Sequence, residues 1–323
     1  MTELAIPAAP MPTGGTTRLH AAILLVLIAV FAVAPAFVYP IAILNVLIFV
    51  LFAASYNLLL STSGLISFGH AAYFGLAAYV TGYTAKNWGV TPEVAVVLGT
   101  AAATILGAAF GYLAIRRQGI YFAMITMGLA QLVYFLCLQQ ADFTGGEDGL
   151  TAIPRGALFG LFSLNSNMAI YFFVLVLIVA AMVLIYRIVE SPFGLMLAAI
   201  RDNEVRTASL GHRAFRYKHL LFTLASGLAG LAGSLKALVF QLVTLSDVHW
   251  SMSGQAVLMV LIGGIGTVFG PLAGAILIVY IQTYLAGFGS WVLVTQGVIF
   301  MTCVSLFREG IVGRIAIWIK RPL

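Results

Sequence analysis

Several residues that could do chemistry in this chain lie in one short stretch, GLISFGHAAYFG, from Gly64 to Gly75. A histidine, a serine and glycines stand there within an otherwise apolar run. Glycine has no side chain, so it lets neighbouring helices approach closely or lets the backbone unwind. Unwinding frees backbone N–H groups, and at the positive end of a half-helix such groups can hold a carboxylate. The stretch therefore predicts a site or path for a small polar solute.

A second glycine-rich stretch starts with the same dipeptide. Ser63-Gly64 precedes LISFG, and Ser253-Gly254 opens SGQAVLMVLIGGIG. Glycine-interrupted segments at corresponding positions of two halves point to a transport site, although close helix packing by small residues gives the same composition. The residues that we expect along the path are Ser63, Gly64, Ser67, Phe68, Gly69, His70, Tyr73, Ser253, Gly254, Gly263 and Gly264.

His70 is the most specific single residue of this set, because ionisable groups inside membrane spans are costly and usually face an interior or a wet path. The first interpretation is a neutral imidazole that hydrogen-bonds to another helix and holds a kink. The second is a side chain that lines the path. A proton relay would need an Asp or Glu within the spans, and the predicted spans contain none away from their ends.

The composition places these motifs in a membrane protein. Of the 323 residues, 62% are hydrophobic and 8% are charged, against about 25% charged in ordinary soluble domains. Apolar runs recur that are long enough to cross a hydrocarbon core as helices. These runs are unbroken, which excludes the alternating strands of a β-barrel. The predicted fold class is an all-α polytopic membrane protein.

About ten transmembrane helices are predicted, in two sets of five. Because five is odd, the second set enters the membrane from the opposite side, which indicates two inverted five-helix repeats. The run after residue 253 holds one span or two, and two keep the basic residues on one side; the first of the two either crosses or re-enters. The predicted spans are 19–38, 41–60, 64–85, 93–115, 119–140, 168–189, 219–243, 254–269, 271–287 and 290–307.

Charged residues indicate the orientation and the limits of the regions. With Arg18 in the cytoplasm, the basic loops fall on that side and acidic residues outnumber basic ones on the other, which is the positive-inside pattern. We expect a polar N-terminal tail (1–18), a transmembrane region (19–307) with a cytoplasmic coupling loop (190–216), and a basic C-terminal tail (308–323). Both termini are thus predicted to be cytoplasmic.

The long cytoplasmic loop is predicted to contain one helix from Pro192 to Gly211. Ser191 can cap its start, with proline at the first helical position, and Gly211 suits a left-handed C-terminal cap. Apolar residues such as Leu195 and Val205 lie among its charges. Such a helix needs a surface that covers them, either the bilayer headgroups or a groove in a partner protein.

Three stretches together resemble a known family. IRDNEVRTASLG, from Ile200 to Gly211, is similar to the cytoplasmic EAA loop of bacterial ABC import permeases. GLISFGHAAYFGLAAY and GGIGTVFGPLAGA resemble the LivM-type permeases of branched-chain amino acid ABC transporters. The resemblance covers about Asn57 to Gly310. It implies a permease subunit in the bacterial inner membrane that imports branched-chain amino acids and contains no catalytic residues.

The same resemblance implies partners and contacts. A second, homologous permease would complete a heterodimer, two cytoplasmic ATP-binding subunits would supply energy, and a periplasmic or external binding protein would deliver the solute. ATP and Mg would be bound by the ATP-binding subunits, with no cofactor on this chain. The residues assigned to contact with those subunits are Ile200, Arg201, Asp202, Glu204, Ala208 and Gly211.

The sequence itself agrees with a permease that relies on separate ATP-binding subunits, and it limits the alternative functions. No Gly-Lys pair occurs, so the chain lacks the usual phosphate-binding loop. A urea or short-amide permease belongs to the same class and stays open. An ion-driven secondary transporter is disfavoured because carboxylates fall only at predicted span ends. A membrane enzyme would need a cluster of reactive groups, and the histidines are dispersed.

Two features near the external side are assigned structural or docking roles. Lys236 lies close to the external end of its predicted span, so we expect its amine to extend outward to water. Asp247, His249 and Trp250 form a polar cluster predicted at the outer surface. That cluster is either a docking point for a binding protein or an ordinary interfacial anchor.

Overall fold

The computed structural model of this protein describes residues 25–267, 269–285, 287, 289, 291–306 and 310–319. The predicted tail 1–18, the start of the first predicted span and the ends of the basic tail lie outside the described residues. Helices dominate the described part, so the predicted all-α class is confirmed. The helices are α1 Leu25–Ala36, α2 Pro40–Ser63, α3 His70–Asn87, α4 Pro92–Ala114, α5 Ile120–Gln139, α6 Ala141–Thr144, α7 Asn167–Glu190, α8 Pro192–Asp202, α9 Glu204–Ser209, α10 Ala214–Phe240, α11 Trp250–Gly263, α12 Gly270–Leu285, α13 Trp291–Leu306 and α14 Gly310–Ile319.

Short strands and turns lie at one end of the bundle. Strand β1 (Leu150–Thr151) pairs antiparallel with β4 (Leu242–Val243), and β2 (Ala157–Leu158) pairs with β3 (Phe162–Ser163). We call this end the loop end. The opposite end, where α8 and α9 lie, is the coupling end. The β1–β4 pair joins the long loop after α5 to the chain that leaves α10.

Every predicted span overlaps an observed helix, because a long apolar run has few other ways to satisfy its backbone in lipid. Five helices, α2, α4, α5, α7 and α10, have 20 to 27 residues and are apolar enough to cross a membrane. Others are shorter: α3 has 18 residues and α11 has 14. At about 1.5 Å per residue, α11 reaches only about 21 Å, less than the roughly 30 Å hydrocarbon core.

Two helices occupy the centre and the rest surround them. Nearly all of the apolar stretch of α2 is buried, and most of that of α10, whereas the stretches of α4, α5 and α7 are mostly not fully buried. Helix α10 packs on α3 and α4, while α2 packs on α11 and α12. Within each half, α3 packs on α4 and α11 packs on α12. The second helix of each half thus packs on the third and fourth helices of the other half. Two inverted repeats produce this pattern.

Close approaches between helices rely on glycine. A Cβ at Gly233 of α10 would overlap the carbonyl of Phe74 in α3, and a Cβ at Gly274 of α12 would overlap the carbonyl of Met259 in α11. Small residues let helix backbones approach in this way where lipid provides no hydrophobic drive for association. The centre of the bundle is thereby held at short interhelical distances.

The predicted single helix from Pro192 to Gly211 is wrong, because the chain breaks at Asn203. Asn203 is extended and its side chain accepts a hydrogen bond from the N–H of Arg206, which caps α9. Asparagine favours this N-cap arrangement over a helix interior. The two predicted ends hold: Ser191 caps α8 through the N–H of Gly194, and Gly211 is left-handed with φ of +89°.

Part of the predicted basic C-terminal tail is helical. Helix α14 packs on α11 and α12, and Gly310 at its start lies against the backbone of Gly264. A side chain at Gly310 would collide with that backbone, and its φ of +75° also favours glycine. The residues after α13 therefore contribute to the packing of the second half.

Candidate translocation site and coupling surface

A break in the backbone follows α2. Gly64 ends that helix in a left-handed conformation with φ of +69°, and α3 begins only at His70. The segment 64–69 thus forms an irregular connection in place of the start of a span, and the unwinding expected from the glycines is observed. Its backbone is partly satisfied by neighbours: the N–H of Phe68 donates to Thr126 Oγ1 of α5 at 3.1 Å. We call residues 64–69 the first break.

A second break precedes α11. Helix α10 ends at Gln241, which is left-handed with φ of +55°, and the chain then runs through β4 and a short 3-10 turn to Trp250. Val248 in this segment lies directly against Gly75 of α3, where even a Cβ would overlap the valine backbone. Residues 241–249, the second break, therefore pack against α3 from the loop end.

The two breaks bring the amino ends of two helices together. The N–H of Ala71, near the start of α3, donates to Ser253 Oγ of α11 at 2.8 Å. Both residues are fully buried. The first turns of helices carry N–H groups without intrahelical partners and a partial positive charge. Two such ends next to each other form an environment that favours an anionic group. The structure thus joins the two stretches that the sequence marked as separate.

The predicted path residues differ in how close they lie to this junction. Gly69 and His70 adjoin Ala71, and Ser67 Oγ accepts a hydrogen bond from the N–H of Gly69 at 3.2 Å. Phe68 is partly exposed and Gly254 faces open space. These residues remain together at or beside the junction.

Three residues of the predicted set lie elsewhere or are occupied. Ser63 donates its hydroxyl to the carbonyl of Leu59 in its own helix, as serine often does inside a helix. Gly263 and Gly264 lie at the far end of α11, about 15 Å along the helix from Ser253, and Gly263 packs against the backbone of Gly270. Their place along a solute path stays a prediction; in the structure Gly263 and Gly264 are glycines at close backbone contacts with Gly270 and Gly310.

His70 has an aromatic environment. Its ring is fully buried and lies edge-on to Tyr56 at 5.0 Å, Tyr73 at 6.1 Å and Phe222 at 6.4 Å between ring centroids. Among the described residues neither ring nitrogen has a hydrogen-bond partner. The expected hydrogen bond to another helix is therefore not formed. The same environment encloses Tyr73, which does not face an open path.

An ion pair anchors the second break. Lys236 Nζ of α10 pairs with Asp247 Oδ1, and Asp247 Oδ2 accepts from the N–H of Thr244 at 3.1 Å. Only 18% of the lysine side chain and 3% of the aspartate side chain are exposed. Two predictions are corrected: Lys236 does not extend outward, and Asp247 is not part of an outer surface. His249 instead packs its ring on Tyr134.

Sequence reasoning missed this pair because the two residues stand on different elements. The available signal was one acid and one base near the end of the same predicted span. The pair also weakens one argument against an ion-driven transporter, since Asp247 is a carboxylate buried beside a spanning helix. Its charge is compensated by that of Lys236, however.

The coupling helices are tied to the bundle at several points. The Arg201 guanidinium donates to the carbonyl of Ser61 near the end of α2, and its Cγ lies 3.5 Å from the position of a Cβ on Gly64. Glu204 pairs with Lys218 of α10 at 2.6 Å and accepts from Gln118 at 2.5 Å. These contacts connect α8 and α9 to the first break, to α10 and to the α4–α5 loop.

Only part of the predicted ATPase contact faces outward. Ile200 is 1% exposed and packs inward with Leu197, so it supports α8 and cannot be a surface contact. Asp202, Ala208 and Gly211 are exposed. The open side of the two helices also carries large apolar side chains. We define the coupling surface as Leu195, Val205, Ala208 and Leu210, all of which are exposed.

Comparisons with known proteins place this architecture in one family. The family described as "Branched-chain amino acid transport system / permease component" matches residues 38–304. This range includes both breaks, the α3–α11 junction and the coupling helices. No solved structure is significantly similar to the chain.

Proteins named as branched-chain amino acid transport permeases are similar to this chain. The high-affinity branched-chain amino acid transport permease LivM of Escherichia coli is 26% identical over 273 residues, covering 78% of this chain and 64% of that protein. LivM of Salmonella typhimurium is 25% identical over the same shares. A probable LivM of Methanocaldococcus jannaschii is 23% identical over 197 residues, covering 59% of this chain and 55% of that protein.

The alignment spans less than two thirds of the length of these relatives, 64% of the two bacterial proteins and 55% of the Methanocaldococcus jannaschii protein. Within this chain it extends over most of the helical bundle, and the family match covers more than four fifths of the residues, from 38 to 304. The chain belongs to the family of branched-chain amino acid transport system permease components.

Proposed function

We propose that this chain is the membrane-spanning subunit of an ABC importer that moves branched-chain amino acids across the bacterial inner membrane. Partner subunits supply the energy by hydrolysing ATP. The observation that carries the proposal is the junction of α3 and α11, where Ala71 and Ser253 meet inside the bundle. Paired, discontinuous helices of this kind form substrate sites in transporters.

The junction suits the carboxylate of an amino acid. A negative group near the amino end of a helix is stabilised by about 0.3–1 kcal/mol, and more when partly buried. Two helices contribute here, together with the hydroxyl of Ser253. Phe68 is partly exposed at the first break and supplies an apolar contact for a branched side chain. Substrate ammonium would be left to a partner chain or to water.

The remaining parts of the importer follow from the coupling end. In this proposal the coupling surface binds a cytoplasmic ATP-binding subunit, which holds ATP and Mg. A second, homologous permease completes the membrane part, and a periplasmic binding protein delivers the solute at the loop end. Arg201 and Glu204 then act inside the permease by connecting the coupling helices to α2 and α10.

Reconstitution tests the proposal. The chain is co-purified with candidate permease and ATP-binding partners, placed in liposomes and supplied with a candidate binding protein. We expect leucine, isoleucine or valine to stimulate ATP hydrolysis and uptake. Stimulation by urea alone would assign the chain to short-amide transport instead. Uptake by this chain alone, driven by an ion gradient, would contradict the proposal.

The same assay tests the junction. Ser253→Ala removes the hydroxyl that accepts from Ala71, and losing one hydrogen bond of about 0.5–1.5 kcal/mol predicts up to roughly tenfold slower uptake. Ser251→Ala is the matched control, since Ser251 is exposed on the same helix. Equal uptake by both variants would show that the junction is not part of the solute path.

A further inference from the structure

The loop between α5 and α7 contains an apolar hairpin whose large side chains at the tip are exposed. Strands β2 and β3 are joined by a tight turn, in which the N–H of Leu161 donates to the carbonyl of Leu158 at 2.9 Å. Phe159, Leu161 and Phe162 are 71%, 81% and 69% exposed. We call these three residues the apolar tip. No charged residue lies between Gly156 and Ser163.

The base of this hairpin is fixed to the ends of three spanning helices. The buried Arg155 donates to the carbonyl of Val239 near the end of α10 and to Asn167 Oδ1 at the start of α7, both at 2.9 Å. The N–H of Phe159 donates to Glu93 Oε1 of α4 at 3.0 Å. The tip therefore has a set position beside the outer ends of α4 and α7.

The backbone also holds the tip in an unusual conformation. Phe159 has a φ of +50°, which is uncommon for a bulky residue. Its N–H bond to Glu93 is part of what maintains that conformation. The sequence thus places a large aromatic ring in an exposed position with a disfavoured backbone conformation. If the tip lay in water, neither the exposure of the ring nor this conformation would stabilise the protein.

The surface next to the tip identifies what it contacts. Helices α4 and α7 are long enough to cross a membrane, and near their loop ends they expose Val94, Val97 and Met168. These side chains face lipid if the helices span the bilayer. The apolar tip continues that surface at the level where the helices leave the membrane, where amphipathic and aromatic anchors are stabilised by the interface.

From this continuity we infer that the apolar tip inserts into the membrane interface and anchors the long loop to the lipid leaflet at the loop end. The chemistry recognised is the boundary between headgroups and acyl chains, not a particular lipid. Through Arg155 and the β1–β4 pair, the anchor also fixes the height of the second break relative to the bilayer.

Fluorescence of a label on the tip tests this inference without any transport measurement. Leu161→Cys is made in a chain whose two natural cysteines are replaced by alanine, labelled with an environment-sensitive fluorophore and placed in lipid nanodiscs. We expect strong quenching by lipids brominated near the headgroup and weak quenching by aqueous iodide. Asp148→Cys, an exposed position of the same loop, is the matched control and should show the reverse, with several-fold stronger iodide quenching.

Two results with the labelled Leu161→Cys chain and one with a further variant would overturn the inference. One is iodide quenching at position 161 as strong as at position 148. The other is protection of position 161 only after a binding protein is added, which would assign the tip to protein docking. Phe159→Ser combined with Phe162→Ser should abolish the quenching by brominated lipid, and unchanged quenching in that variant would also contradict insertion by the tip. Failure of the transport proposal would leave all these readings unaffected.

Discussion

The buried polar side chains of this bundle differ in whether they have partners. Asn57 of α2 accepts from the N–H of Gly266 and donates to the carbonyl of Thr267, so it holds the α11–α12 turn against α2. Asp247 is paired with Lys236 and capped by Thr244. Neither ring nitrogen of His70 has a hydrogen-bond partner among the described residues. The polar groups that have partners hold the breaks and turns in place, whereas His70 contributes mainly through the packing of its ring.

Lys236 and Asp247 should stabilise the fold only when both charges are present. Lys236→Met leaves a buried carboxylate without its cation, which predicts a loss of about 3–5 kcal/mol in the free energy of unfolding. Adding Asp247→Asn removes the uncompensated charge and keeps the cap on Thr244, so the double variant should recover most of that loss. Thermal unfolding in detergent measures both. Additive losses would show that the two charges do not stabilise each other.

Residue types alone marked the junction only in part. The glycines predicted unwinding at the first break, and Ser253 was selected because its dipeptide repeats that of Ser63. The repeat did not distinguish the two serines, however. Ser253 meets another helix, while Ser63 bonds within its own, and that difference depends on which side of each helix packs inward.

The elements of this bundle were largely predictable because their signals are local. Apolar runs predicted the helices, and proline or glycine marked most of their ends, as at Pro40, Pro92 and Gly64. The break at Asn203 was missed because a single asparagine competes weakly with a run of good helix formers on both sides. Tertiary support for α8, through buried Leu197 and Ile200, decides where that helix ends.

Gly75 should be intolerant of any side chain, since Val248 lies against it. Gly75→Ala predicts overpacking that costs about 1–3 kcal/mol and displaces the second break. Gly128→Ala in α5 is the matched control: it meets nothing within 4 Å and should be neutral or stabilising by up to about 1 kcal/mol. Thermal unfolding of the isolated chain compares them. Equal stability of the two variants would mean that the second break can move away from α3 at little cost in free energy, which would contradict the prediction.

Glu204 should connect the coupling helices to the bundle. Glu204→Arg places a cation against Lys218, so the chain should still insert while ATP hydrolysis becomes uncoupled from uptake. A loss of coupling energy in the usual range predicts uptake lowered about 5- to 150-fold. Glu204→Gln keeps an acceptor for Lys218 and should be milder. Normal uptake by Glu204→Arg, measured with the ratio of ATP hydrolysed to solute moved, would argue against this connection.

At the scale of the whole molecule, two similar halves enclose a shared centre. The contacts of α10 with α3 and α4 are matched by those of α2 with α11 and α12. The parity of the predicted spans by itself indicates this relation. The contact between the halves through Ala71 and Ser253 could not be predicted, because it depends on how far each break extends toward the other.

The orientation proposed for the bundle predicts which residues each compartment can reach. A cysteine introduced at Ala208 on the coupling surface should react with a membrane-impermeant thiol reagent only after the cells are opened. A cysteine introduced at Glu147, exposed in the long loop, should react in intact spheroplasts. Labelling of the Ala208 position from outside would place the coupling surface beyond the reach of any cytoplasmic ATPase.

The two breaks lie on opposite sides of the Ala71–Ser253 contact. In the proposed importer, a solute arriving at the loop end meets residues 241–249 before the contact, and one arriving from the coupling end meets residues 64–69. Two separate segments of the chain therefore lie on the two approaches to the contact. In the proposed importer, opening of one approach does not require α2 to separate from α10, so the packing between these two helices would be kept throughout the transport cycle.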